Sequence, residues 1–218
     1  MTKEQILENF DPSQPGLADA TIFGLPFSAE QSEIIVIPVP WEVTVSYGSG
    51  ASKGPDAVLD ASFQVDLNHQ EFPDLWKLGI YLDKAPKDLK KKSKKYKKQA
   101  APIIKALESG MVLDHHIYLT KDLEENNYAC SDMVEAVREQ TLNWMNKGKK
   151  VVLLGGDHST PLGYYQALAT KYDNFGILHL DAHMDLRIAY EGFTYSHASI
   201  MYNALQIPQI SKIVQVGI

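Results

Sequence analysis

The sequence contains almost no cysteine, since Cys130 is the only one among 218 residues. A single cysteine excludes an internal disulfide framework and a zinc site built from several thiolates. It also favours a reducing compartment. We expect Cys130, which precedes Ser131, to be a core residue rather than a nucleophile.

Long apolar runs and an excess of positive charge are also missing. Nowhere are eighteen consecutive residues apolar, and the first residues do not form the apolar run of a signal peptide. The net charge of -6 argues against general binding to nucleic acids or membrane surfaces. We therefore expect a cytoplasmic protein with no nucleic-acid partner and no membrane partner. The glycine-rich segment 48–54 has the spacing of neither a dinucleotide fingerprint nor a P-loop.

Short apolar runs alternate with helical patterns along the chain. This alternation predicts an α/β fold with a mainly parallel sheet, which we assign to one domain over residues 1–218. The predicted strands cover residues 33–39, 76–82, 150–154, 175–181 and 212–216, and the predicted helices cover 55–63, 131–147, 161–172 and 197–205.

A lysine-rich segment interrupts this order. Nine lysines and one aspartate lie between Lys84 and Lys98, which is the strongest charge run in the chain. In an acidic protein such a run is typical of a solvated helix face rather than a nucleic-acid site. We assign residues 84–130 to an insertion within the domain and expect His115 and His116 to be loop residues of it. Adjacent histidines point in different directions and make a poor chelating pair.

Three polar side chains follow the predicted strand 175–181 at alternate positions: Asp181, His183 and Asp185. In an extended chain this spacing turns all three to one side, each about 7 Å along the backbone from the next. Two carboxylates and an imidazole on one side are typical of a metal site. His179 points to the same face one step deeper, so we interpret it as a hydrogen-bonded core residue.

A second polar segment, Gly155-Gly156-Asp157-His158-Ser159, follows the strand 150–154. Because ligand sites lie outside the carboxyl ends of neighbouring parallel strands, His158 is expected to lean toward Asp181. The two glycines permit a tight turn and close backbone approach, and Ser159 can cap the next helix. Asp157 either orients a ligand or forms the turn, and the sequence leaves both roles open.

Together the two segments resemble signature motifs of the ureohydrolases, the arginase and agmatinase family. Residues 40–57 resemble the N-terminal segment of that family, and residues 185–199 are similar to the agmatinase branch in particular. The resemblance implies a three-layer α-β-α sandwich of the arginase/deacetylase type, a homo-oligomer, and two Mn²⁺ ions per subunit. It also implies that His158 and Asp185 bind one ion, that His183 binds the other, and that Asp181 bridges them.

The implied reaction is hydrolysis of a small guanidino compound to urea and an amine. The guanidino carbon is a poor electrophile, so its hydrolysis requires a strong nucleophile. Metal coordination can supply one, because it lowers the pKa of bound water from 15.7 toward about 7. His197 matches the proton-shuttling histidine of the family, and its pKa range suits protonation of the leaving amine. The resemblance therefore implies catalytic roles for Asp181 and His197. The segment 186–196 is expected to select the substrate, with contacts from Arg187, Tyr190, Glu191 and Ser196.

Agmatine, hydrolysed to putrescine and urea, is the first expectation for the substrate. Guanidinobutyrate, arginine, guanidine and formiminoglutamate remain open, as does a non-catalytic homologue or fragment. The chain ends directly after the strand 212–216 and lacks the family's third metal motif, Ser-x-Asp-x-Asp. We therefore expect that the C-terminal part of the family domain is missing and that the metal site is half-built.

Overall fold

We describe the fold from a computed structural model, which describes residues 1–14, 16, 20–45, 47–113 and 116–218. Ser46 of the segment 40–57 and His115 of the predicted insertion loop lie outside the described residues. The strands are β1 (Ile34–Val39), β2 (Ile80–Leu82), β3 (Lys150–Gly155), β4 (Phe175–Leu180) and β5 (Ile210–Val216). The helices are α1 (Lys3–Asn9), α2 (Gly54–Ser62), α3 (Leu89–Glu108), α4 (Ile117–Asn146), α5 (Leu162–Ala169) and α6 (Ile200–Leu205).

Every pair of neighbouring strands is parallel, which confirms the predicted α/β class. The strands form two hydrogen-bonded groups, β2-β1-β3 and β4-β5. Within the described residues, β3 and β4 do not pair with each other, so the sheet is not continuous as we expected. The carboxyl ends of these two strands nevertheless face a common space, in which the candidate site lies.

Strand β1 occupies the centre of its group because its sequence is apolar on both faces. Ile35, Ile37 and Val39 are fully buried. Helices α3 and α4 contribute Ile103 and Ala129 to the same core cluster. The segment 84–130 thus supplies core residues of its own, and its assignment as an insertion stays a prediction.

Two predicted elements have different boundaries in the structure. The strand expected from Trp76 begins only at Ile80, because Trp76 lies in a 3-10 turn and packs 5.2 Å from the ring of Phe10. The helix expected from residue 131 begins at Ile117, directly after His116, which was expected to lie in a loop. Ser131 is typical of a helix N-cap by residue type, but it is an interior residue of α4.

Cys130 is fully buried on α4, as expected, and burial raises the pKa of its thiol. A neutral buried thiol is inert as a nucleophile. Among the described residues, no helix combines the length and the apolar character needed to cross a membrane.

One face of the β4-β5 pair is apolar and exposed. Leu178 pairs with Val214 and Leu180 pairs with Val216, so these four side chains share a face. Their exposed fractions run from 42% for Val214 to 70% for Leu180. We call this set the open face of β4-β5, because an apolar patch of this kind on a parallel sheet is normally covered.

Candidate metal centre

The candidate centre forms where β3 and β4 end. After β3 the chain turns sharply at Gly156, where an added Cβ would lie 2.1 Å from the carbonyl oxygen of Trp41. Only glycine permits this approach, as the sequence predicted. The turn brings His158 from the end of β3 to the carboxylates that follow β4.

His158 contacts both carboxylates through one atom. Its Nδ1 lies 2.7 Å from Oδ2 of Asp185 and 3.1 Å from Oδ2 of Asp181. Burial lowers the pKa of His158, but the hydrogen bond that its Nδ1–H donates to Asp185 and the charges of Asp185, Asp181 and Asp157 outweigh burial and raise the pKa. The pocket around Nδ1 therefore favours a positive charge.

The polypeptide bends around the two carboxylates. Asp181 is only modestly buried; burial raises its pKa, but the backbone N–H of His183, 2.9 Å from Oδ1, and the nearby histidines lower it overall. Asp185 adopts a left-handed backbone conformation with φ of 52°, and its carbonyl accepts a hydrogen bond from the N–H of Met201 in α6. The start of α6 thus fixes the residue that carries the second carboxylate.

His179 joins this group more closely than the sequence suggested. His158, His179, Asp181 and Asp185 each offer a ligand atom, and these atoms lie within 4.8 Å of one another. His179 is buried, accepts or shares a hydrogen bond with Gln215 Nε2 at 2.9 Å, and lies 3.5 Å from Asp181. The interpretation of His179 as a hydrogen-bonded core residue agrees with its burial, although its other ring nitrogen reaches the cluster.

His183 lies outside that tight group. Its side chain is 79% exposed, and its Nδ1 lies 3.3 Å from Oδ1 of Asp181. His183 thus contacts one carboxylate oxygen of Asp181, whereas His179 lies 3.5 Å from the other. Its assignment as a metal ligand stays a prediction.

A donor set of two carboxylates and imidazoles fits a divalent cation such as Mn²⁺, Zn²⁺ or Ni²⁺. The raised pKa of His158 shows that the cluster already attracts a proton, which a metal ion would replace on binding. The described residues therefore fit a metal centre by their chemistry. They leave the number and identity of the ions open.

Asp157 is buried and serves the turn rather than the cluster. Its Oδ1 accepts hydrogen bonds from the N–H and the hydroxyl of Ser159, and its Oδ2 accepts one from the N–H of Val43. Burial raises the pKa of Asp157 overall, although these hydrogen bonds and the charge of His197 act to lower it. Of the two roles left open by the sequence, the observed contacts favour formation of the turn. Asp157 also attaches the segment after β1 to this turn, through Val43.

His197 lies at the start of a short 3-10 turn before α6. Its Nδ1 lies 3.5 Å from the hydroxyl oxygen of Thr44, and its ring makes an edge contact with Tyr190 at 5.6 Å. Thr44 is fully buried, and our sequence analysis did not single it out. The available signal was the alternation of the polar residues Glu42 and Thr44 with apolar neighbours directly after a predicted strand.

A cavity of about 490 Å³ opens beside the cluster. Five of the predicted site residues line it: His183, Asp185, Arg187, Tyr190 and His197. The ring centroid of Tyr190 lies 5.4 Å from the guanidinium of Arg187. The predicted substrate segment thus brings a cation and an aromatic ring to the same space as the candidate ligands.

Ser196 and Glu191 do not line this cavity. Ser196 is fully buried, and its hydroxyl lies 2.9 Å from that of Ser199. Glu191 has a left-handed backbone, and burial, followed by the charge of Glu108, raises the pKa of its carboxyl. One of its oxygens has no hydrogen-bond partner among the described residues. Substrate contacts from Ser196 and Glu191 stay predictions.

Comparison with known proteins identifies the family. The sequence model of the arginase family matches residues 32–218, which is most of the chain. The chain belongs to the arginase family. The match confirms the resemblance drawn from the two motif segments, and it includes the lysine-rich segment.

The relatives that the chain matches include an N(1)-aminopropylagmatine ureohydrolase and an agmatinase. The chain is 32% identical over 189 residues to the N(1)-aminopropylagmatine ureohydrolase of Thermus thermophilus, covering 87% of this chain and 52% of the relative. It is 28% identical over 173 residues to the agmatinase of Bacillus anthracis, covering 79% and 47% respectively. The chain therefore spans about half the length of the relatives it matches.

The solved structures agree on the fold. Proclavaminate amidino hydrolase from Streptomyces clavuligerus superposes with a TM-score of 0.64 at 19% identity, covering 94% of this chain and 58% of that chain. An identity this low shows the fold alone. The α/β architecture of the arginase type, predicted from the sequence, is thereby confirmed.

Proposed function

We propose that this chain carries the metal-binding part of a ureohydrolase that cleaves a small guanidino compound to urea and an amine. The observation that carries the proposal is the meeting of His158, from the end of β3, with Asp181 and Asp185, from the end of β4. Membership of the arginase family supports the same class of reaction.

His158, Asp181 and Asp185 would hold Mn²⁺, with His183 directed at a second ion. Bound cations would lower the pKa of a coordinated water, which makes it a nucleophile at neutral pH. His197 donates a proton to the leaving amine. The contact of its Nδ1 with Thr44 leaves Nε2 as the ring atom for this transfer.

Agmatine or an N-substituted agmatine is the first candidate substrate, because the agmatinase and the aminopropylagmatine ureohydrolase are among the relatives. Tyr190 lines the cavity and contacts the ring of His197, the proposed proton donor. We also propose a cytoplasmic location and a homo-oligomeric assembly.

A second candidate class is a guanidino acid, such as guanidinobutyrate. Arg187 places a guanidinium in the cavity, and a cation there attracts a substrate carboxylate and repels an amine. The third alternative is a non-catalytic homologue or fragment.

The test is urea release by the full chain loaded with Mn²⁺, over a panel of agmatine, N(1)-aminopropylagmatine, guanidinobutyrate, arginine, guanidine and formiminoglutamate. We expect release from an agmatine, and none from the Asp181→Asn variant. Arg187→Met separates the first two classes, because it lowers kcat/KM for a guanidino acid and leaves agmatine unchanged or improved. Tight metal binding without release from any compound would favour the non-catalytic alternative.

A further inference from the structure

A buried glutamate lies in the loop that leaves β1, which we define as residues 40–45 and 47–53. The side chain of Glu42 is 1% exposed, although a carboxylate is rarely buried without partners. Its Oε2 accepts hydrogen bonds from the N–H groups of Gly50 and Ser52, at 3.0 and 2.9 Å. The carboxylate therefore closes the β1 exit loop on itself.

The partner of Glu42 comes from the lysine-rich helix α3. Lys97 forms an ion pair with Oε1 of Glu42 and donates a second hydrogen bond to the hydroxyl of Ser49, at 2.8 Å. One turn earlier on α3, the hydroxyl of Ser93 accepts a hydrogen bond from the N–H of Glu42, at 2.9 Å. Two residues of one helix face thus hold both the backbone and the side chain of Glu42.

This attachment sets Lys97 apart from the other lysines of the run. Lys94 and Lys98 are exposed, whereas the side chain of Lys97 is 32% exposed and faces a fully buried carboxylate. The lysine-rich run was interpreted as a solvated helix face. That interpretation holds for its exposed members but not for Lys97.

The β1 exit loop also reaches the candidate site directly after Glu42. The N–H of Val43 binds Asp157 in the turn that carries His158. The hydroxyl of Thr44 lies 3.5 Å from Nδ1 of His197. The residue that the ion pair holds is therefore two positions from the residue that contacts the proposed proton donor.

We propose that the Lys97–Glu42 pair positions the β1 exit loop and thereby sets the orientation of His197 through Thr44. Lys97 and Glu42 are positioning residues, because neither contacts the cluster of metal-ligating side chains. The role of His197 in this proposal rests on the proposed function. The attachment of the β1 exit loop by the Lys97–Glu42 pair does not depend on that function.

The first test uses amide hydrogen exchange, measured by NMR on the full chain. In Lys97→Met the amides of Gly50 and Ser52 are expected to exchange about tenfold faster than in the parent, because the loop opens locally. The matched variant Lys98→Met makes the same chemical change at the exposed neighbour and should leave both amides unchanged. Equal exchange in the two variants would overturn the proposal.

The second test follows the His197 ring resonances, assigned with His197→Gln. Thr44→Val and Lys97→Met are expected to shift them in the same direction, whereas Thr44→Ser, which keeps the hydroxyl, and Lys98→Met should not. Faster loop exchange with unchanged His197 resonances would reduce the pair to a structural role and overturn the proposal. If Lys97→Met does not fold because Glu42 is left unpaired, the double variant Glu42→Gln/Lys97→Met carries the same two readouts.

Kinetics add a third readout. Where the parent releases urea, Lys97→Met should lower kcat about tenfold and leave KM within about twofold, because proton transfer is impaired rather than binding. A change confined to KM would contradict the proposal. A parent that releases no urea would count against the proposed function, while amide exchange and the His197 resonances still decide the positioning role.

Discussion

Nδ1 of His158 lies 2.7 Å from Oδ2 of Asp185, and this contact joins the ends of two strands that do not pair with each other. Asp185 is 8% exposed and Asp181 lies close by, so the imidazole contacts two carboxylates, one of them nearly buried. In the absence of metal, a protonated His158 neutralises part of this negative charge. The same contact therefore links protonation, metal binding and stability.

The metal-free protein should lose stability as the pH rises from 6 to 8.5. The pKa of His158 is raised in the folded state above its ordinary value of 6.5, so its contribution is fully present below pH 6.5 and is lost as the pH passes the folded value. The measurement is urea unfolding in a chelator at both pH values. His158→Gln should show a smaller loss. Parallel losses in parent and variant would contradict this origin.

The same protonation predicts that metal affinity depends on pH. Mn²⁺ must displace the proton from His158, so its affinity should rise as the pH increases from 6 to 8 and fewer His158 rings remain protonated. Calorimetry in buffers of different ionisation enthalpy measures both the affinity and the protons released. Binding with no proton release would exclude His158 as a ligand.

The two histidines beside Asp181 are expected to respond differently to mutation. His183 is exposed and free to turn toward a second ion, so His183→Ala should reduce the metal bound per chain. His179 is buried and bonded to Gln215, so His179→Ala should lower stability by about 1–3 kcal/mol and affect metal content less. Metal content by elemental analysis and unfolding by urea give the two readouts. The reversed pattern would make His179 the ligand.

The sequence predicted the cluster because its main signals are local. Asp181 and Asp185 follow one apolar strand, and His158 follows another, so the parallel arrangement of strands sufficed to bring them together. The contribution of His179 was visible only as a position on the same face. His179 is buried against Gln215 of β5, and a local sequence pattern cannot predict a contact between residues so far apart in the chain.

The roles of Thr44 and Glu42 were beyond sequence reasoning for a different reason. Their partners, His197 and Lys97, lie 153 and 55 residues away and on other elements. The start of α4 was missed because Ser131 resembles a helix cap, whereas the buried side of the helix continues through Asn126 and Ala129. Tertiary packing overrides such a local signal.

Gly156 should tolerate no side chain. An added Cβ would lie 2.1 Å from the carbonyl oxygen of Trp41 and 2.7 Å from that of Val39, and backbone atoms cannot yield as a flexible side chain can. We expect Gly156→Ala to cost about 1–3 kcal/mol of unfolding free energy and to weaken metal binding by displacing His158. Gly176→Ala is the comparison, because its nearest contact is 3.2 Å. Equal effects at the two positions would contradict the role of close approach.

The open face of β4-β5 should bind hydrophobic dyes and promote association of this chain. Leu178 is 66% exposed and Leu180 is 70% exposed, side by side on a parallel sheet. Changing both to Thr is expected to reduce dye fluorescence and concentration-dependent light scattering while leaving the unfolding free energy within about 0.5 kcal/mol. Ile177→Thr, on the opposite face and packed against the core, should instead destabilise the fold by about 1–2 kcal/mol and leave dye binding intact. If the double variant were as unstable as Ile177→Thr, Leu178 and Leu180 would belong to a packed interface rather than to an open one.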